Sequence, residues 1–111
     1  MAKREFLGGF ELLVLLALIR LGENAYGVPI SEAIEESSGR EVATGSIYIT
    51  LDRLEAKGFV TSRLGEPTPE RGGRAKTYFH ITAKGLREAR QARRTLMSLW
   101  NGVPRLEGER A

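Results

Sequence analysis

Apolar and polar positions along this chain change their period several times, and each change marks an element. From Phe10 to Leu21 nearly every residue is apolar and neither Pro nor Gly intervenes, which predicts a helix stopped near Gly22. Apolar on almost all sides, it must pack on its own domain with one face and on another helix, expected from a second chain, with the other. After a polar turn at Glu23 and Asn24, Val28, Ile30, Ala33 and Ile34 give a second helix its inward side. That helix runs to about Ser38, with Pro29 in the first turn and Gly39 as its stop. A third helix is expected from Thr44, as N-cap, to Gly58, buried through Ile47, Leu51 and Leu54. This leaves Ser46, Ile49, Thr50 and Arg53 on an outer face read as free of acids, with Tyr48 on its boundary.

The period then shortens. Phe59 to Leu64 and Lys76 to Ile81 carry β-branched and aromatic residues and flank a turn containing Pro67, Pro69, Gly72 and Gly73. In the second run Thr77, Phe79 and Ile81 alternate with Lys76, Tyr78 and His80, so one face can cover a core while the other stays wet. At the turn, Arg71 and Arg74 flank the Gly-Gly pair, which would let backbone approach a phosphate or a narrow minor groove. Thr82 is placed to cap a last helix reaching about Asn101, stopped by Gly102 and Pro104. In it Leu86, Ala89, Arg93, Leu96, Trp100 and Val103 alternate three and four apart, the seam of a coiled-coil-like contact interrupted by Arg93. With Met97 and Leu99 alongside, this is more apolar surface than a small domain leaves exposed, and it predicts a two-fold dimer in which the last helix meets Leu12 and Leu16 of a partner's first helix.

The predicted fold class is therefore mainly α with a small β-hairpin. It is a winged helix-turn-helix over residues 1–81, an added C-terminal dimerisation helix over 82–103 and a flexible tail over 104–111. At 111 residues there is room for one domain. Lys and Arg outnumber Asp and Glu by 17 to 14, and the isoelectric point is about 9.6. The excess is local: from Thr61 to Arg94 there are nine basic residues against three acidic ones, on the predicted turn and the helix after it. A basic hairpin behind a helix whose outer face offers hydroxyls, an arginine and an apolar tip makes double-stranded DNA the first partner to consider. A plain amphipathic surface helix would carry the same stripe, and a winged-helix module for an acidic protein partner remains the alternative function.

Other chemistry finds little support. There is no cysteine, hence no disulfide or thiolate. The one histidine, His80, has no carboxylate at metal-ligand spacing, so neither a catalytic nor a metal site is expected, and no cofactor. Gly72-Gly73 is not followed by the Gly-Lys-Ser/Thr of a nucleotide loop. The apolar run Leu12 to Ile19 is far short of the roughly 20 residues that span a bilayer, and the expectation is a cytoplasmic protein without membrane contact.

The chain resembles the PadR family of winged-helix transcriptional regulators, in its shorter form with one C-terminal helix. The resemblance rests on Tyr26-Gly27, on Gly45-Ser46-Ile47-Tyr48 followed by Leu51, Arg53, Leu54, Glu55 and Gly58, and on Gly73-Arg74 before Tyr78-Phe79-His80-Ile81-Thr82 and Gly85. It implies a homodimer that sets two third helices in successive major grooves of a pseudo-palindromic operator, usually as a repressor relieved by a small molecule. Ser46, Tyr48, Thr50 and Arg53 match the family's DNA-facing helix, beside Thr44 and Ile49, with Tyr48 contacting backbone through its hydroxyl. Arg71, Arg74 and Lys76 match its wing. For a small aromatic effector the positions to consider are Leu96, where a drug-binding relative carries an aromatic residue, and Trp100, read in preference as an anchor of the dimer core.

Overall fold

A computed structural model describes residues 6–66 and 75–103. Its elements run α1 (Gly9–Leu21), α2 (Gly27–Ser38), α3 (Thr44–Ala56), β1 (Val60–Leu64), β2 (Thr77–Ile81) and α4 (Ala83–Asn101). Four helices and one antiparallel hairpin make the mainly α, winged helix-turn-helix class expected from the sequence. The expected tail, 104–111, and the tip residues Arg71 and Arg74 lie outside the described residues.

The core is one cluster in which Val14 and Leu15 of α1, Ile30 of α2, Ile47, Leu51 and Leu54 of α3 and Val60 of β1 are fully buried. Helix α2 turns inward along Gly27, Ile30, Ser31 and Ile34. Val28 stands off this stripe and is exposed, contrary to expectation, while Ser31 takes an inward place because its hydroxyl can donate to the Val42 carbonyl at 2.9 Å.

The two ends of α3 differ. Ala43, not Thr44, occupies the N-cap and makes no side-chain cap; Thr44 is the first helical residue and is exposed. At the other end Gly58 adopts φ +80°, the left-handed conformation that glycine enters without steric cost. Gly58 N–H donates to the Glu55 carbonyl (3.0 Å) and Phe59 N–H to that of Leu54 (2.9 Å), a Schellman closure that turns the chain directly into β1.

In the hairpin Val60 pairs with Ile81, Ser62 with Phe79 and Leu64 with Thr77. Phe79 points into the core, and its N–H donates to the Ala25 carbonyl at 2.8 Å, tying the hairpin to the α1–α2 turn. The cap predicted for α4 is present: Thr82 Oγ1 accepts from Gly85 N–H (3.0 Å) and donates to the Gly58 carbonyl (2.7 Å). One hydroxyl thus starts α4 and fastens it to the end of α3.

Two residues expected at the dimer contact pack inward instead. Leu12 and Ala89 belong to the protomer's own core, only 9% and 2% exposed, so neither can carry a contact with another chain. The N-terminal half of α4 leans on its own domain through Gly85 and Ala89.

Candidate nucleic-acid interface

Because α3 is buried along Ile47, Thr50, Leu51 and Leu54, its opposite face is turned to solvent. Ser46, Ile49 and Arg53 are exposed there, as the sequence predicts. Thr50 is not: at 5% exposure it sits between Ile47 and Leu54, three and four residues away, and so shares their face. It cannot reach a base. The face is also not free of acids, since Asp52 is exposed beside Ile49. The surface therefore offers a serine hydroxyl, an apolar tip, a carboxylate and a guanidinium, a set that can distinguish base edges by donor, acceptor and methyl contact.

Both rims of α3 are held. On one, the Tyr48 ring lies across the start of α2, where a Cβ added to Gly27 would come within 2.8 Å of two ring carbons. Tyr48 also packs at 6.2 Å on Phe79, so α3, α2 and the hairpin meet at this ring. Its hydroxyl sits over α2 at 38% residue exposure, at the edge of the outer face as expected. On the other rim Lys57 Nζ donates to Glu11 Oε2 of α1 at 2.9 Å. Glu11 Oε1 accepts Gly8 N–H at 2.8 Å and so completes the first turn of α1. Burial alone would raise the Glu11 pKa; the Gly8 N–H, the Lys57 ammonium and the Arg53 charge together outweigh it and hold the carboxyl below its ordinary value.

At the base of the wing cations and rings alternate. Lys76 Nζ lies 4.5 Å from the Tyr26 ring centre and 3.5 Å from its hydroxyl. Tyr26 meets Tyr78 edge to face at 5.4 Å, and the Arg63 guanidinium lies 4.9 Å over Tyr78 while its Nε donates to His80 Nε2 at 3.2 Å. Lys76 is thereby fixed beside Tyr26 just before β2. Arg63, Tyr26 and Tyr78 escaped the sequence reading as site residues, although Arg63 and Tyr78 face each other in the register of the hairpin.

The "Transcriptional regulator PadR-like family" model matches residues 15–91, from the middle of α1 to the middle of α4. The chain belongs to this family. PadR-like structures overlay on most of it: one from Eggerthella lenta at 28% identity and TM-score 0.66, covering 81% of this chain and 76% of that one. Another from Bacillus cereus shows 25% identity and TM-score 0.69, covering 90% and 93%. A transcriptional regulator from Clostridium thermocellum shows 26% identity and TM-score 0.69, covering 82% and 85%. No curated protein matches the sequence. As a PadR-like protein the chain is a transcriptional regulator and not a member of an enzyme family. Among the described residues no group of three or more acidic or histidine side chains could hold a metal ion, and no helix is long and apolar enough to cross a membrane.

The remaining predicted positions lie on α1, on α4 and just past its end. Leu16 is 45% exposed, in a row with Leu13 and Ile19. Leu86 is half-buried against the protomer, whereas Arg93, Leu96, Trp100 and Val103 are exposed. With Leu99, the last three make an exposed apolar stripe along the C-terminal half of α4, with Val103 just past its end. A cleft of about 230 Å³ opens between α1 and α2, lined by Leu13, Leu16, Arg20, Ile34 and Ser37 among others. Neither Leu96 nor Trp100 contributes to it.

Proposed function

We propose that this PadR-like regulator is a homodimeric repressor that reads a pseudo-palindromic operator by laying α3 of each protomer in a major groove. The observation that carries the reading is the outer face of α3: Ser46, Ile49, Asp52 and Arg53 stand clear of a helix fixed along its inner side and at both rims. Lys76, held against Tyr26 at the base of the wing, is in the right element to meet backbone phosphate. The stripe Leu96, Leu99, Trp100 and Val103 supports a dimer, because a free monomer would leave it wet. Leu13, Leu16 and Ile19 on α1 are the complementary apolar row.

Selection from a random duplex pool at about 0.15 M salt tests the reading, since non-specific binding is weak there. The expected product is a two-fold symmetric motif with half-sites about one helical turn apart. Arg53→Ala is expected to cost about 1–3 kcal/mol on that motif and to relax preference at one position in each half-site, whereas Lys76→Ala should weaken all duplexes alike. Transcription in vitro from a promoter overlapping the motif should fall as protein is added. Retention without a motif, or none, would instead favour a module that binds an acidic protein.

A further inference from the structure

Glu11 is a nearly buried carboxylate with two cations on the facing rim of α3, and only one of them is bonded to it. Lys57 Nζ is 2.9 Å from Oε2. Arg53 lies four residues earlier, one helical turn away on the same side of α3, exposed and close enough for its charge to act on Glu11. Glu11 cannot swing away to choose between them, because Oε1 is fixed by Gly8 N–H at the start of α1. Among the described residues, Lys84, beside Lys57, is committed elsewhere: its Nζ donates to the Lys57 carbonyl at 3.1 Å and lies 5.4 Å from the Phe59 ring.

We propose that Lys57 is a positioning residue for DNA recognition: by occupying Glu11 it keeps the Arg53 guanidinium free on the outer face of α3. The proposal rests on the reading of α3 as the groove-binding helix. A buried carboxylate stripped of its partner is strongly unfavourable. Without Lys57, Glu11 therefore recruits the next cation along the rim, and that cation is Arg53. Recruitment draws the guanidinium out of the groove and towards α1. The device is asymmetric. Removing the lysine leaves a hungry carboxylate, whereas removing the carboxylate's charge leaves Arg53 as free as before.

Dependence on Arg53 separates this role from a simple structural ion pair, whose loss would change the motif preference whether or not Arg53 is present. Full-length Lys57→Met, Glu11→Gln, the double variant, Lys57→Arg, Arg53→Ala and Arg53→Ala/Lys57→Met are titrated by fluorescence anisotropy. The probes are the duplex recovered by selection and a scrambled duplex of equal length, with circular dichroism checking the fold. Glu11→Gln keeps an oxygen to accept Gly8 N–H, so α1 is not uncapped. Lys57→Met is expected to lower the ratio of motif to scrambled affinity at least about fivefold, the lower range for one lost base contact. Glu11→Gln, the double variant and Lys57→Arg should retain the ratio within about twofold of the parent, and Lys57→Met should add nothing in the Arg53→Ala background. Equal losses from Glu11→Gln and Lys57→Met, or a Lys57→Met effect that persists without Arg53, would overturn the proposal. If Lys57→Met does not fold, Lys57→Gln takes its place. An arm without DNA keeps the two readings apart: the Arg53 Nε–H resonance should become protected from exchange in Lys57→Met and stay exposed in the parent. Protection with no selectable motif would uphold the switch of partner and refute the DNA reading; an unchanged resonance would refute the switch.

Discussion

Gly85 gives the sharpest test of how the wing is docked. It lies in the first turn of α4, buried, where a Cβ would overlap the Phe59 carbonyl oxygen and come within 2.9 Å of both the Phe59 carbonyl carbon and Ile81 Cγ1. Two of these atoms are backbone, held by Thr82 N–H donating to the same Phe59 carbonyl at 3.0 Å, so no side chain can rotate aside to make room. In an open helical site Gly→Ala would stabilise by about 1 kcal/mol. Overpacking of a tight core costs about 1–3 kcal/mol, and a clash with backbone belongs at the upper end of that range. Gly85→Ala should therefore destabilise by about 1–2 kcal/mol, which for a domain of this size lowers the melting temperature by roughly 4–15 °C. The control is Gly45→Ala on α3, where nothing lies within 4 Å of the added carbon and a gain of up to about 1 kcal/mol is expected. Urea and thermal unfolding followed by circular dichroism at one protein concentration measures both. A Gly85→Ala protein as stable as its parent, beside a stabilised Gly45→Ala, would refute the close approach of α4 to the end of α3.

Three further outcomes follow from other parts of the structure. Thr82→Ala removes both the α4 cap and the bond to the Gly58 carbonyl and should cost about 1–2 kcal/mol in urea unfolding, with Thr82→Ser nearly neutral because it keeps the hydroxyl. Glu11, whose pKa is held down in the folded state, contributes stability fully present above the ordinary glutamate value of about 4.3 and lost as the pH falls through the folded value. The stability difference between parent and Glu11→Gln should accordingly shrink below about pH 4 in urea titrations, and an undiminished difference at pH 3 would contradict the pairing. Leu99→Asp, in the exposed stripe of α4, should leave the circular dichroism spectrum intact and shift sedimentation from dimer to monomer; a dimer that survives it would place the contact elsewhere.

The order of elements was legible because each is punctuated chemically: Gly39 and Gly58 in left-handed conformations end two helices, and Thr82 caps a third. Faces were harder. Taking Ile47, Leu51 and Leu54 as the whole buried stripe leaves Thr50 outside it, but the stripe is wider, and Thr50, three residues from Ile47 and four from Leu54, belongs to it. Leu12 and Leu16 could not be told apart in a helix apolar on every side, since no polar face shows which flank is wet. Ala89 satisfied the seam of α4 as a pattern, but small residues also let a helix approach its own core, which is what Gly85 and Ala89 do. The ring-and-cation array at the wing base was illegible for another reason. Tyr26 is 52 residues from Tyr78, and only the fold brings them to 5.4 Å.

These contacts bear on how a regulator of this shape can change its affinity for DNA. The end of α3 is fastened to α4 by Thr82 and Lys84 and to α1 by Glu11, while Tyr48 fastens its other rim to α2 and the hairpin. Helix α3 is therefore tied to α1 and to the N-terminal half of α4. The C-terminal half of α4, with its exposed stripe, makes no such bonds to the winged helix among the described residues, but it continues the same unbroken helix and so projects from the domain in a fixed direction. In the proposed two-fold dimer joined through that stripe, the distance between the two α3 helices would be set by how α4 leaves the domain, between Ala89 and Leu96. On the proposed reading, a change in packing there would alter half-site spacing and overall affinity, while the preference for each base would stay with Ser46, Ile49, Asp52 and Arg53. Spacing and base preference are consequently separable in this fold, and substitutions should sort cleanly into the two classes.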